Sequence, residues 1–126
     1  MGGSLATRIG YQFSDPALLE AALRHRSIGT RHNERLEFLG DSVLGLAVSE
    51  MLFEKYPAAT EGELTQLRAR LVRQATLATV ARSIDLGEVL KLGPSAGRSG
   101  GNDRSSILAD ALEAVVAAVF LDSDFD

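Results

Sequence analysis

Asn33 to Leu46 reads NERLEFLGDSVLGL, and the rest of the chain is placed relative to it. Asn33 suits a helix N-cap, and Leu36, Leu39, Val43, Leu46 and Ala47 recur at helical spacing. At about 100° per residue these positions span an arc of roughly 100°, which predicts the core-facing side. Glu34, Glu37 and Asp41 lie on the opposite side, within roughly 60° of one another. Acids at a helix N-terminus are favoured by its dipole, so a solvated charged face is the plainest interpretation. Two features weigh against it. Beyond Asp41 the same side continues as Leu44, Val48 and Leu52. Gly40 and Gly45 also stand inside the helix, where each costs about 0.5–1 kcal/mol relative to alanine. Both are expected to mark close approach of another backbone. Three acids on a closely packed side of a helix suggest a cation site.

A second acidic pair is the stronger physical clue. Between Ile107 and Leu121 only Asp110 and Glu113 are polar. A helix apolar all round belongs inside a core, so both carboxylates are expected to be largely buried. A buried pair of like charges persists only with raised pKa values, arginine partners or metal ions. Ala109, Ala114 and Ala117 flank the pair and leave room for something to approach. Arginine neutralisation stays open, although buried ion pairs stabilise a fold poorly. A metal explains both clusters together. Glu37, Asp41, Asp110 and Glu113 make an all-oxygen set that suits Mg²⁺ or Mn²⁺ rather than Zn²⁺. A ferritin-like di-iron centre needs Glu-x-x-His, and neither Glu37 nor Glu113 is followed by such a histidine.

The chain has 126 residues, 45% hydrophobic and 24% charged, enough for one domain with a core of its own. It has no cysteine, which excludes disulfides, thiolate metal sites and a cysteine nucleophile and fits a reducing cytoplasm. The longest apolar run, Ala114 to Leu121, is too short for a membrane span, and the N-terminus lacks a signal pattern. A net charge of −4 argues against nucleic-acid binding through overall basicity, but not through a local patch. Without Trp, and with two Tyr and five Phe, the chain has little material for stacking on unpaired bases.

The remaining segments read as helices and connectors. Met1 to Ser4 resembles a tag remnant or frayed end. Leu5 to Phe13 forms a short helix or turn. Pro16 opens a helix to about His25, with Leu18, Leu19, Ala22 and Leu23 inward. His25 at its end reads as a cap or hydrogen-bonder rather than a ligand. The central helix runs from Asn33 to about Lys55 and stops at Tyr56-Pro57. Thr60 to Glu63 has capping-box spacing and opens a helix through Leu64, Leu67, Leu71 and Val72. Thr76 to Ile84 is a further helix, and Leu86 to Leu92 an ordered connector. Gly93 to Arg104 reads as a mobile surface loop, without the ending of a phosphate-cradling loop. Ser105 and Ser106 cap the last helix. No strand and no internal repeat is evident.

Four stretches resemble the ribonuclease III family: His25-Arg26-Ser27, Asn33 to Leu46, Glu61-Gly62 with Leu64, and ILADALEAVVAAVFLD from Ile107 to Asp122. They follow the family's order and cover most of its endonuclease domain. The resemblance implies an all-α, dimerising endonuclease domain over residues 1–126, C-terminally truncated and without the double-stranded RNA-binding domain. It implies cytoplasmic, Mg²⁺-dependent cleavage of double-stranded RNA in processing such as rRNA maturation. The expected products carry 5′-phosphate and 3′-hydroxyl ends, staggered to leave a short 3′ overhang. Glu37, Asp41, Asp110 and Glu113 would hold catalytic metal. Glu34 and Glu61 would be further acids in the cleavage valley, one of them contributed across a homodimer. Glu34 also suits the helix dipole, and Glu61 sits in a capping turn. Phe38 matches a residue that enters a pocket on the partner subunit; otherwise it is a core residue. RNA contact would be sequence-tolerant, through Gln66, Arg68, Arg70, Arg73, Arg98 and Arg104. The rival interpretations are a catalytically weak RNA-binding or dimerisation module and a structural bundle whose acids pair with arginines.

Overall fold

The computed structural model describes residues 4–29, 32–98 and 100–123, with only the backbone given for residues 95 and 98. Residues 1–3 of the proposed tag remnant and the Arg98 side chain lie outside the described set. The described residues form α-helices and short 3-10 turns, with no strand, as the sequence pattern predicts. The helices are α1 (Leu5–Ile9), α2 (Pro16–Ala22), α3 (Glu34–Lys55), α4 (Glu61–Val72), α5 (Gln74–Ser83), α6 (Pro94–Arg98) and α7 (Ser105–Asp122). No described helix is long and apolar enough to cross a membrane.

Helix α7 is the axis of the fold. It packs against α3, α5 and α2, and half of its residues are buried. Leu108, Leu112 and Val115 join Leu5, Leu23, Leu77 and Leu86 in one core. Full burial of a side chain of that size contributes about 1.5–3 kcal/mol. The C-terminal end of α7 also fastens the start of the chain. The Asp122 carboxylate accepts from Tyr11 O–H at 2.7 Å and from the Ser14 and Asp15 N–H groups, each at 2.8 Å. Those bonds hold its pKa below the usual carboxylate range.

Helix α3 lies along α7, and a glycine sets their separation. A β-carbon at Gly40 would collide with the Glu113 carbonyl, so the two backbones touch here. Gly45 does not share this role, because nothing within 4 Å would meet its β-carbon. The contact at Gly40 also turns the helix relative to expectation. Leu36, Gly40, Leu44 and Leu52 face inward, while Leu46 and Ala47 are exposed. The expected inner arc therefore overlaps the true one only in part. Close approach at Gly40 selects the side that continues into Leu44 and Leu52.

Several boundaries also differ. Helix α2 ends at Ala22, because Leu23 and His25 instead hydrogen-bond Lys91 across the chain. Asn33 precedes α3 but makes no side-chain cap; buried, its Nδ2 donates to the Ala22 carbonyl at 3.0 Å. Ser105 is helical rather than a cap, and Arg104 occupies the N-cap position. The described residues between Gly93 and Arg104 form α6 and a 3-10 turn (Gly101–Asp103), and Gly93 and Gly101 are buried, so these parts are ordered and packed rather than a loose loop. Helix α4 buries none of its residues, and Leu71 is exposed. The capping box at its start is present, with Thr60 N–H to Glu63 Oε1 at 2.8 Å and Glu63 N–H to Thr60 Oγ1 at 3.2 Å.

Gly40→Ala is expected to destabilise the protein by at least about 1–3 kcal/mol, the usual range for overpacking, because backbone rather than a pliant side chain must move. Urea unfolding measures it, and an unchanged midpoint would contradict the close approach.

Candidate metal centre

The Gly40 contact brings the acids of two helices together. Glu37 lies one turn before Gly40 on α3, and Asp110 and Glu113 are a turn apart on α7. One carboxylate oxygen from each of Glu37, Asp110 and Glu113 falls within 4.8 Å of the others. Asp41 stands at the edge of this group, where its carboxylate and that of Glu113 share a hydrogen bond. All four sequence candidates thus meet at one end of the α3–α7 contact. The α7 acids are half-buried rather than deeply buried, because the acidic edge of the contact opens to solvent.

Crowding shows in the proton affinities. Burial pushes Glu113 up to about 8, helped by the hydrogen bond and charge of Asp41 and by the charges of Glu37 and Asp110. Burial also raises Glu37 to about 7, with the charge of Asp110, their hydrogen bond and the charge of Glu34 adding to it. Asp110 is raised by burial, while the hydrogen bond with Glu37 and the charges of Arg26 and His25 pull it down. Arginine neutralisation fails as an account of this cluster. Arg26 pairs with Glu34 at 3.7 Å and stays 65% exposed. Among the described residues, no ion pair reaches Glu37, Asp41, Asp110 or Glu113. Four clustered carboxyl side chains without a paired arginine fit a hard divalent cation.

The remaining candidates lie elsewhere. Glu34 is exposed at the start of α3, beside the cluster. Glu61 is exposed at the start of α4. It lines a shallow groove with Ser49, Phe53 and Arg68, at the opposite end of α3. From Glu37 to Ser49 the helix rises roughly 18 Å, so Glu61 does not join the acids of its own chain. Arg68 Nη1 donates to Ser49 Oγ at 2.9 Å. Gln66, Arg70, Arg73 and Arg104 are exposed. Phe38 is 79% exposed, which excludes the core role. Leu46 and Phe53, 59% and 72% exposed, continue the same side of α3. The stripe from Phe38 to Phe53 spans roughly 22 Å within an arc of about 80°. Sequence reasoning missed Arg26 as the arginine whose charge acts on Glu37 and Asp110, although it sits inside the singled-out His25-Arg26-Ser27. His25 hydrogen-bonds locally, but it caps the start of the turn at Arg26–Ile28 rather than the end of α2, accepting the Ser27 N–H at 3.1 Å.

Known proteins share this sequence and fold. A family profile described as Ribonuclease-III-like matches residues 15–126. Ribonuclease 3 of Xylella fastidiosa (strain M23) is 62% identical over 117 residues, 93% of this chain and 52% of that protein. Ribonuclease 3 of Xanthomonas axonopodis pv. citri is 58% identical over 118 residues, 94% of this chain and 52% of that protein. The chain thus spans about half the length of the curated relatives it matches. The nuclease domain of ribonuclease III from Campylobacter jejuni superposes with a TM-score of 0.93 at 43% identity, covering 96% of this chain and 85% of that one. Dicer from Pichia stipitis superposes with a TM-score of 0.73 at 33% identity, covering 91% and 50%. With a family profile over residues 15–126 and relatives in sequence and structure that cover nearly its whole length, the chain belongs to the ribonuclease III-like family.

Proposed function

We propose that residues 1–126 form an endonuclease domain that hydrolyses phosphodiester bonds of double-stranded RNA with Mg²⁺, or Mn²⁺ in its place. The observation that carries this is the meeting of Glu37, Asp110 and Glu113 within 4.8 Å, without a paired arginine. Glu37, Asp41, Asp110 and Glu113 would hold the cation. A divalent ion there acidifies water and offsets charge gathering on the phosphate and the leaving oxygen, giving 5′-phosphate and 3′-hydroxyl ends. The protein's own part is to hold those carboxylates together and to grip the duplex. Exposed Arg70, Arg73 and Arg104 supply cations for phosphates.

A homodimer completes the proposal. Two strands related by a local two-fold axis call for two sites, which a C2 pair supplies. The exposed stripe of Phe38, Leu46 and Phe53 is the surface that supports it. The similar Campylobacter nuclease domain has a region involved in dimer formation. Glu61, remote from the acids of its own chain, would approach those of the partner. A role in rRNA maturation in the cytoplasm rests on family membership alone.

The test is cleavage of long double-stranded RNA at low salt with Mg²⁺, Ca²⁺ or chelator, with single-stranded RNA and double-stranded DNA as controls. Cutting confined to the RNA duplex and to Mg²⁺ is expected. Cutting in chelator would overturn the proposal, and none at high protein concentration would favour the binding module. Glu113→Gln should lower the rate by more than about 100-fold, since even outer partners of a metal are worth about 10–100-fold. Circular dichroism should show that variant folded; near-normal turnover would remove Glu113 from the site.

Stability without metal should fall with pH. Glu113 at about 8 and Glu37 at about 7 stand above the ordinary 4.5, so the folded state binds more protons than the unfolded one in between. The contribution is intact below about pH 4.5 and is lost as pH rises towards 8. In chelator the melting temperature should therefore drop between pH 5 and pH 8, and Mg²⁺ should restore it mainly at the upper end. A Glu113→Gln slope identical to that of the parent protein would refute this assignment.

Salt should weaken substrate binding. With several phosphates neutralised per duplex, KM should rise on the order of 100-fold between about 50 and 200 mM salt. A flat profile would contradict phosphate contact by Arg70 and Arg73.

A further inference from the structure

Helix α4 is a rod between two joints. Before it, residues 56–60 are non-helical and end in the capping box. After it, a single extended residue, Arg73 (φ −69°, ψ 156°), separates it from α5. Thr76 Oγ1 on α5 closes that joint by donating to the Arg70 carbonyl at 2.6 Å. The joints hold the ends of the rod but leave its roll about its own axis to side chains. Packing does little to set that roll, because α4 buries none of its residues. Leu64 and Leu67 are half-buried, and Leu71 is exposed.

Midway along the rod stands Arg68. Its Nη1 donates to Ser49 Oγ on α3 at 2.9 Å, and among the described residues this is the one side-chain hydrogen bond between the two helices. No described carboxylate forms an ion pair with this guanidinium, so the serine is its partner. A charged donor makes such a bond stronger than a neutral one.

The bond decides what else α4 presents. Glu61 and Arg68 are seven residues apart, within about 20° of one line along the helix. Both line the groove that Ser49 and Phe53 border on α3. Arg70 is turned about 160° away from Arg68 and is exposed. One roll angle therefore sets Glu61 beside the apolar stripe of α3 and Arg70 in solvent. At a side-chain radius of about 5–6 Å, a roll of about 30° would move the Glu61 carboxylate by roughly 3 Å.

We propose that Arg68 is a positioning residue: through Ser49 it fixes the roll of α4 and holds Glu61 at the surface that meets a second copy, rather than gripping RNA phosphates itself. This rests on the homodimeric nuclease proposed above, in which Glu61 serves the acids of the partner subunit.

Mixed dimers test it, because the effect crosses the contact. Glu113→Gln silences the site of its own chain and leaves one live site per dimer, read as nicking of one strand of long duplex RNA with Mg²⁺. With Arg68→Ala on the same chain as Glu113→Gln, the live site receives Glu61 from the altered chain. Its kcat should fall about 10-fold with KM within about 2-fold, since a misplacement of about 1 Å can cost as much as about 100-fold. With Arg68→Ala on the other chain, the live site receives Glu61 from a chain with Arg68 intact, and kcat should stay within about 2-fold of the dimer carrying Glu113→Gln alone. Ser49→Ala should repeat both results, and adding it to Arg68→Ala should cost nothing further. Equal rates in the two arrangements, or a Ser49→Ala dimer that behaves as the parent, overturn the positioning role. So does an Arg68→Ala loss that falls on KM and lowers the salt slope by about one, the mark of a phosphate contact. A parent protein that is monomeric or leaves duplex RNA uncut brings down the dimeric nuclease and this role with it, whereas a parent that cuts as a dimer confines any failure to Arg68.

Discussion

The contact of Gly40 with the Glu113 backbone is the constraint on which the rest of the structure depends. It sets the distance between the two longest helices, and with it the distance between the acids they carry. Any side chain at residue 40 would wedge α3 away from α7. A shift of one or two ångströms would loosen both the packing around Leu44 and Leu108 and the approach of Glu37 to Asp110 and Glu113. Packing and chemistry thus share one residue. This is why a glycine persists inside a 22-residue helix despite its cost to helix stability.

The cluster so assembled works against the fold that builds it. Burial and mutual repulsion raise Glu113 and Glu37 well above ordinary carboxylates, so the protein without a cation is held together in spite of these residues. The apolar surface of α7 supplies the opposing free energy. Nine of its residues are buried, and its neighbours on α2, α3 and α5 close around it. A divalent cation held there, as proposed, would relieve repulsion already present.

Much of this was legible in the sequence. The apolar run around Asp110 and Glu113 marked a central helix with misplaced charges, and Gly40 marked a close approach. The four acids that meet were all identifiable. What escaped was orientation. The periodicity of α3 has two apolar sides, and Leu46 and Phe53 belong to the one that α7 does not cover. No rule of helical spacing says which of two apolar sides a single chain buries. Asn33 illustrates the same limit: its residue type fits a cap, but the nearby Ala22 carbonyl claims its side chain. The Gly- and Ser-rich stretch from Gly93 looked loose because small residues also suit tight packing. Gly93 and Gly101 are small so that Ser27 and Ala96 can come near.

The two apolar sides of α3 explain why the acids divide as they do. One side meets α7 and gathers Glu37, Asp41, Asp110 and Glu113. The other leaves Phe38, Leu46 and Phe53 in solvent and reaches the end where Arg68 ties α4 to Ser49. Glu61 stands at that end, about 18 Å of helix away from the acids. No rotation of a side chain closes such a gap within one chain. If α3 pairs with a second copy through the exposed stripe, a two-fold axis reverses one helix against the other, and the remote end of each comes to the acidic end of its mate. The apolar stripe and the isolation of Glu61 then have a single cause. In that proposed pair each copy would bring its acidic cluster to one end of the contact and its Glu61 to the other, so the two copies together would assemble what neither holds alone.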